Sequence, residues 1–329
     1  MRPIRVGLTL PQGWLDEFPR AKPSEQFLFS KDVALEAERL GYEAGYVYDH
    51  FIPYYGNNEN GPFFEAYTLL SAVASVTTRL RIGQVVTCNS FRHPSLLAKI
   101  TSTLDAISNG RLEFGIGAGW FEEEYVSYGY RFDNARTRIE QLDESLAIIR
   151  KMWKDEKSTF KGKHYSVENA ICSPKPVQLP HPPIMVGGAG SRLMEVVARH
   201  ATRYNHPFGT PEVLEEKISM LKTKCKDAGR DHGEIENSVL LRVLVGKDGD
   251  EVKEIVSGLK KKNESITDFV LRSSDSIAMG TPDEVSEYLG RYERIGITYF
   301  IVNFVGLSRS LDMLSTFAAK VIPKIRQCR

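Results

Sequence analysis

The residues of this sequence best suited to chemistry begin with the adjacent pair Asp49-His50. Imidazole titrates near neutrality, so His50 can give or take a proton beside a reacting atom. The plainer alternative is that Asp49 caps the following loop and His50 is a satisfied structural residue. A metal centre needs more ligands than this pair offers. No His-x-His pair occurs, and His93, His164, His181, His200 and His232 do not cluster in the sequence. A second candidate is Gly187-Gly188-Ala189-Gly190-Ser191-Arg192. Glycines let a ligand approach the backbone, and a helix start offers free N–H groups to a phosphate, to which Arg192 can add a charged contact. A tight strand-to-helix turn is the rival reading. The third is Gly115-Ile116-Gly117-Ala118-Gly119-Trp120. Here Gly117 and Gly119 can admit a flat group against the backbone and Trp120 can wall a pocket, unless the glycines only ease packing and the indole belongs to the core. The neighbouring Glu122-Glu123-Glu124 reads as the solvated start of a helix rather than a catalytic cluster.

These residues must be positioned by something, and the pattern around them alternates regularly. Short β-branched or aromatic runs at 4–10, 45–48, 81–87, 111–116, 184–186, 202–205, 239–245 and 299–304 read as strands. Longer stretches with helical spacing lie between nearly all of them, the first at 25–40 behind Ser24 as N-cap. Residues 158–167 read as a small hairpin turning at Gly162-Lys163. Five prolines within 174–183 make that segment an extended connection. Eight βα units imply a parallel sheet closed into a barrel, a single (β/α)8 TIM-type domain over 1–329 with insertions after strands 4 and 7. A doubly wound open sheet competes, but Pro11-Gln12-Gly13 after the first strand is no dinucleotide fingerprint. In such barrels chemistry sits at the carboxyl ends of the strands. Those ends carry Pro11-Gln12, Asp49-His50, Cys88-Asn89, Gly117–Trp120, Gly187–Gly190, Asn205-His206, Arg242 and Asn303.

Composition narrows the function classes. Forty-three Lys and Arg against 42 Asp and Glu give a net charge of +1 over 329 residues. That balance argues against a nucleic-acid partner, while leaving room for a local anion site. No run approaches the roughly 18 apolar residues of a membrane span. The N-terminal residues enter a strand pattern without a signal peptide, and Cys88, Cys172, Cys225 and Cys328 form no Cys-x-x-Cys pair. A cytoplasmic protein with reduced thiols is the expectation.

Taken together, these stretches resemble the luciferase-like family of flavin- and deazaflavin-dependent oxidoreductases. The resemblance is carried by Leu40-Gly41-Tyr42-Glu43, Tyr48-Asp49-His50-Phe51, Ile82-Gly83 through Arg92-His93-Pro94, Leu104 through Leu112, residues 115–124, 142–153 and 183–190, and Gly280-Thr281-Pro282. It implies a TIM-type barrel with a flavin or deazaflavin ring over the strand ends. By position, Asp49 would contact the cofactor and His50 would act as acid or base, with Trp120 beside the reacting centre. Val85-Val86 aligns with a non-proline cis peptide that backs the ring in deazaflavin members. Asn89 and Gly117–Trp120 would line the ring or its side chain, and Gly187, Gly188, Ala189, Gly190 and Arg192 would hold the phosphate.

The stretch from Gly117 to Tyr125 looks most like the branch using coenzyme F420, which implies hydride transfer with a small organic substrate. An FMN-dependent monooxygenase fed by a separate flavin reductase is the alternative, and a flavin-binding barrel without turnover is the third. Sugar-phosphate dehydrogenases and methylene-tetrahydromethanopterin reductases of this family carry an acid where Trp120 stands. Tyr54 also replaces the indole of the sugar-phosphate enzymes. With Trp14, Tyr55 and Phe63 these residues suggest an aromatic-walled pocket for a less charged substrate. Family members are often homodimers, which is the expectation for this chain.

Overall fold

The computed structural model describes residues 2–15, 17–18, 22–54, 61–260, 264–273 and 277–327. Tyr55 and Cys328 lie outside the described residues. Eight parallel strands close a barrel: β1 (Arg5–Thr9), β2 (Ala44–Val47), β3 (Arg81–Gln84), β4 (Leu112–Gly117), β5 (Ile184–Gly187), β6 (Arg203–Pro207), β7 (Glu236–Val245) and β8 (Tyr299–Phe304). Each pairs with the next, and β8 closes onto β1. The strands read as near-continuous apolar runs because both of their faces are covered, by helices outside and by layered side chains within. On β8, Tyr299 and Ile301 face the barrel interior with Tyr46, Met185 and Leu240, while Phe300 and Val302 join the outer core under the helices. The open sheet is thereby excluded.

Strand 3, expected to run through 81–87, is interrupted. After β3 the chain resumes pairing with β4 at Thr87–Cys88. Gly83 lies opposite Glu113 and Thr87 opposite Ile116, so four steps on one strand oppose three on the other. The extra residue is a bulge at Val85–Val86, whose peptide bond is cis.

The first helix, α1 (Pro23–Leu40), begins earlier than expected, with Lys22 rather than Ser24 as its N-cap. Pro23 suits the first helical position, and the Glu25 carboxylate accepts from the Lys22 amide at 3.0 Å. Next come α2 (Ala66–Val76) and α3 (Pro94–Ile107), then α4 (Glu122–Ser127) and α5 (Ala135–Lys154) after β4. The expected hairpin follows as Ser158–Lys161 paired with Ser166–Ala170. After β5 and β6 come α6 (Ser191–His200) and α7 (Pro211–Asp227). Beyond β7 lie α8 (Gly249–Leu259), α9 (Ile266–Ser273), a strand absent from the sequence pattern, Ile277–Gly280, and α10 (Pro282–Arg294). That strand adds to β7 at Arg242–Val245. Among the described residues no helix is long and apolar enough to cross a membrane.

The floor of the barrel is a buried ionic network at the strand starts. Arg203 donates to Glu113 at 2.5 Å and to Glu236 at 2.7 Å, and Arg81 and Arg5 close the two outer sides. Its guanidinium also lies 4.1 Å from the centre of the Tyr299 ring. The opposite end is open.

Candidate functional site

At the carboxyl ends of the strands lies a cavity of about 680 Å³. That falls within the roughly 300–1,000 Å³ of sites that enclose a cofactor or small ligand. His50, at the end of β2, is held on three sides. Its Nδ1 lies 2.8 Å from Oε2 of Glu124. The indole of Trp14 stacks on its ring, with centroids 4.0 Å apart and planes 15° apart. Trp120 and Phe121 meet its edges at 5.9 and 6.0 Å. Among the described residues nothing bonds Nε2, which leaves that nitrogen for a ligand.

Glu124 corrects the expectation of a solvated acidic helix start. Glu122 and Glu123 are exposed, but Glu124 is fully buried. Its second oxygen accepts from the amides of Phe51 and Ile52, so one carboxylate fixes both the imidazole and the loop that carries it. A signal was present: Phe121 and Tyr125 define the inward face of α4, and position 124 shares it.

Asp49 lines the cavity, yet its carboxylate is already engaged. Arg92 grips it with two parallel bonds, at 2.7 and 3.0 Å, and the Cys88 amide donates at 2.8 Å. Burial pushes the Asp49 carboxyl above its ordinary value, and the guanidinium opposes that shift. Besides lining the cavity, Asp49 thus clamps the end of β2 to the segment that carries Cys88 and Arg92. Burial also lifts the Cys88 thiol to about 12, so it stays protonated against Tyr125, 2.9 Å away.

The glycines divide by function. A Cβ at Gly117 would meet Val86 at 2.8 Å, and one at Gly187 would meet the same side chain at 2.8 Å. Both glycines therefore make room for Val86, and both also line the cavity. Gly188 has φ +138 and backs onto Leu193. Gly190 has open space where a Cβ would be, and with Ala189 it borders the cavity at the start of α6. Gly119 is the most constrained, with φ +77 and Tyr125 Oη 1.9 Å from the position of a Cβ. Gly119→Ala is expected to destabilise the fold by about 2–4 kcal/mol, from the strained φ and the overpacking together. Gly190→Ala should be nearly neutral, and urea melts of the two variants compare them.

Of the expected site residues, Asp49, His50, Val85, Val86, Gly117, Gly119, Trp120, Gly187, Gly188, Ala189 and Gly190 all line this cavity. Trp120 stands at its rim, 54% exposed, and not in the core. Asn89 and Arg192 do not line it. Asn89 is buried in the turn leading to α3, and Arg192 is exposed in the first turn of α6. Two cations that the sequence left unassigned are found in the lining instead, Arg138 from α5 and Arg242 from β7.

Comparison with known proteins agrees with this architecture. The sequence profile described as luciferase-like monooxygenase matches residues 16–299. An F420-dependent glucose-6-phosphate dehydrogenase of Microbacterium testaceum is 26% identical, covering 92% of this chain and 96% of that one. A pyrimidine monooxygenase of Variovorax paradoxus is 28% identical over 75% of this chain and 68% of its own. The solved structure of an F420-dependent secondary alcohol dehydrogenase in complex with an F420-acetone adduct superposes with a TM-score of 0.80. It covers 99% of this chain and all of its own, at 21% identity. The chain belongs to the luciferase-like monooxygenase family.

Proposed function

We propose that this protein is an oxidoreductase that passes a hydride between coenzyme F420 and a small organic substrate, with His50 moving the accompanying proton. The observation that carries the reading is the His50–Glu124 pair, 2.8 Å apart at the cavity wall. Interconverting an alcohol and a carbonyl by hydride transfer requires one proton to leave or reach the oxygen. An imidazole oriented through Nδ1 by a buried carboxylate presents Nε2 for that step. His50 takes the proton from the hydroxyl in oxidation and returns it in reduction, while Trp14 and Trp120 keep the ring in place and limit water.

The choice of F420 is supported by relatives aligned over nearly their whole length, the F420-dependent glucose-6-phosphate dehydrogenases. The residues present fit such a group. Val86 and the Gly117–Gly119 backbone line one part of the cavity, and Ala189 and Gly190 bring it to the first turn of α6, whose amides suit a phosphate. When bound, the deazaflavin supplies a two-electron hydride carrier. The likeness to pyrimidine monooxygenases favours a second reading, in which FMN, reduced by a separate enzyme, supports oxygenation.

Titrating the protein with F420 and with FMN, read by quenching of tryptophan emission, separates the two. Trp14 and Trp120 both border the cavity. F420 is expected to bind at least about tenfold more tightly, a difference near 1.4 kcal/mol. Tighter binding of FMN would overturn the F420 assignment.

A further inference from the structure

Most charged groups in the cavity wall have a protein partner. Asp49 is gripped by Arg92, Glu124 holds His50, and Arg138 donates to the Asp133 carbonyl and lies over Phe132, although its Nε too is buried without an acceptor. Arg242 differs. Among the described residues it forms no ion pair and no hydrogen bond, and its Nε is buried without an acceptor. The Phe208 ring lies 5.1 Å from the guanidinium carbon, Asn303 pairs with Arg242 across the sheet, and Tyr48 is within its electrostatic reach. Leu240 and Pro207 line the same part of the cavity. In the ring of eight strands β7 stands opposite β3, so Arg242 lies across the barrel mouth from Val85–Val86.

A guanidinium set among apolar groups without a counter-charge is costly, and a ligand that brings the counter-charge recovers that cost on binding. We propose that Arg242 is a specificity-determining residue and that the substrate of this cavity carries a carboxylate. The proposal rests on reading the cavity as an enzyme's active site. One cation with a planar fork matches one carboxylate. Beside Arg242 stands the Tyr48 hydroxyl, while the Asn205 amide donates to Ser238, so this end offers a single charge, which suits a carboxylate better than a phosphate dianion. Phosphate chemistry fits the other end, where Arg138 and the α6 start border the cavity. The aromatic wall then holds the body of the substrate and Arg242 its charged end.

The test compares mandelate with benzyl alcohol, which differ by the carboxylate, as ligands of the wild type, Arg242→Gln and Arg242→Lys. Binding is read by tryptophan emission at fixed ionic strength, with and without F420, and the melting temperature of each variant verifies folding. Mandelate is expected to bind at least about tenfold more tightly to the wild type, as for a charge-assisted pair. Arg242→Gln should erase the preference and leave benzyl alcohol affinity unchanged, and Arg242→Lys should restore part of it. Three results overturn the proposal: no saturable mandelate binding, equal binding of the two probes, or a preference that survives in Arg242→Gln. Displacement of mandelate by inorganic phosphate more effectively than by acetate also overturns it, in favour of a phosphorylated substrate. A protein that prefers mandelate yet fails to bind F420 refutes the coenzyme assignment alone.

Discussion

Replacing His50 with alanine is expected to lower substrate-dependent turnover of the coenzyme by about 10²–10⁴-fold, the range for loss of a positioned acid or base. Coenzyme affinity should fall far less than turnover, because the backbone of Gly117–Gly119 and the start of α6 stay in place. Glu124→Gln probes the same pair more finely. Both carboxylate oxygens act as acceptors, one for His50 and one for the Phe51 and Ile52 amides. Glutamine has a single acceptor oxygen, so it must fail either the loop amides or the imidazole. If its NH2 group turns to His50, Nδ1 becomes the acceptor and the proton moves to Nε2, reversing the tautomer. A loss of about 10–100-fold is expected, as for other groups that orient a functional histidine. A displaced pH–rate profile would distinguish this from simple damage to the fold. His50→Ala with undiminished turnover would remove the histidine from the chemistry, and an unchanged profile in Glu124→Gln would reduce Glu124 to a loop anchor.

The second large effect concerns stability. Arg203→Leu is expected to cost about 3–5 kcal/mol, because it strands buried carboxylates whose partner is removed. Glu113 and Glu236 would each retain one arginine, Arg81 or Arg5, but both of those reach in from more exposed positions. Burial alone would raise the Glu113 carboxyl, yet Arg203 and Arg81 outweigh it and hold it below its ordinary value. A carboxyl depressed in the folded state stabilises the fold above its unfolded-state pKa and loses that contribution as pH falls through the folded value. Without Arg203 the carboxyl rises towards or above its unfolded-state value, so the stabilisation that the wild type loses in acid is already missing at neutral pH. The deficit of the variant should therefore shrink as pH falls. Urea melts across the acid range check both parts. Wild-type stability at neutral pH would show that the network is dispensable.

The barrel was legible because its strands are short, β-branched and buried on both faces, and because the helices between them keep a 3.6-residue rhythm. The strand Ile277–Gly280 was not. Four residues ending in glycine give no alternation to read, and their identity as a strand comes from β7 beside them. The site shows the same division. Its location at the strand ends followed from the fold, and Asp49, His50 and the glycine stretches were visible as unusual residues at those ends. Their partners were not, since the groups that define Asp49 and His50 lie 43 and 74 residues away, at Arg92 and Glu124. Composition offered no sign that one of three consecutive glutamates is buried. Only the helix face shared with Phe121 and Tyr125 carried that information. Arg242 was seen at a strand end, but its lack of a counter-charge is a property of three-dimensional surroundings.

The notches at Gly117 and Gly187, both filled by Val86, make side-chain volume at these three positions a single variable. A larger residue at 187 needs a smaller one at 86, and one at 117 needs the same together with a shift of the Gly187 carbonyl oxygen, 3.1 Å from the position of its Cβ. Single substitutions will therefore look worse than suitable pairs. For anyone reshaping this cavity, position 86 is the one to change first. Trimming Val86 opens two recesses at once, and natural chains of this family that differ there should differ at the other two positions in the compensating direction.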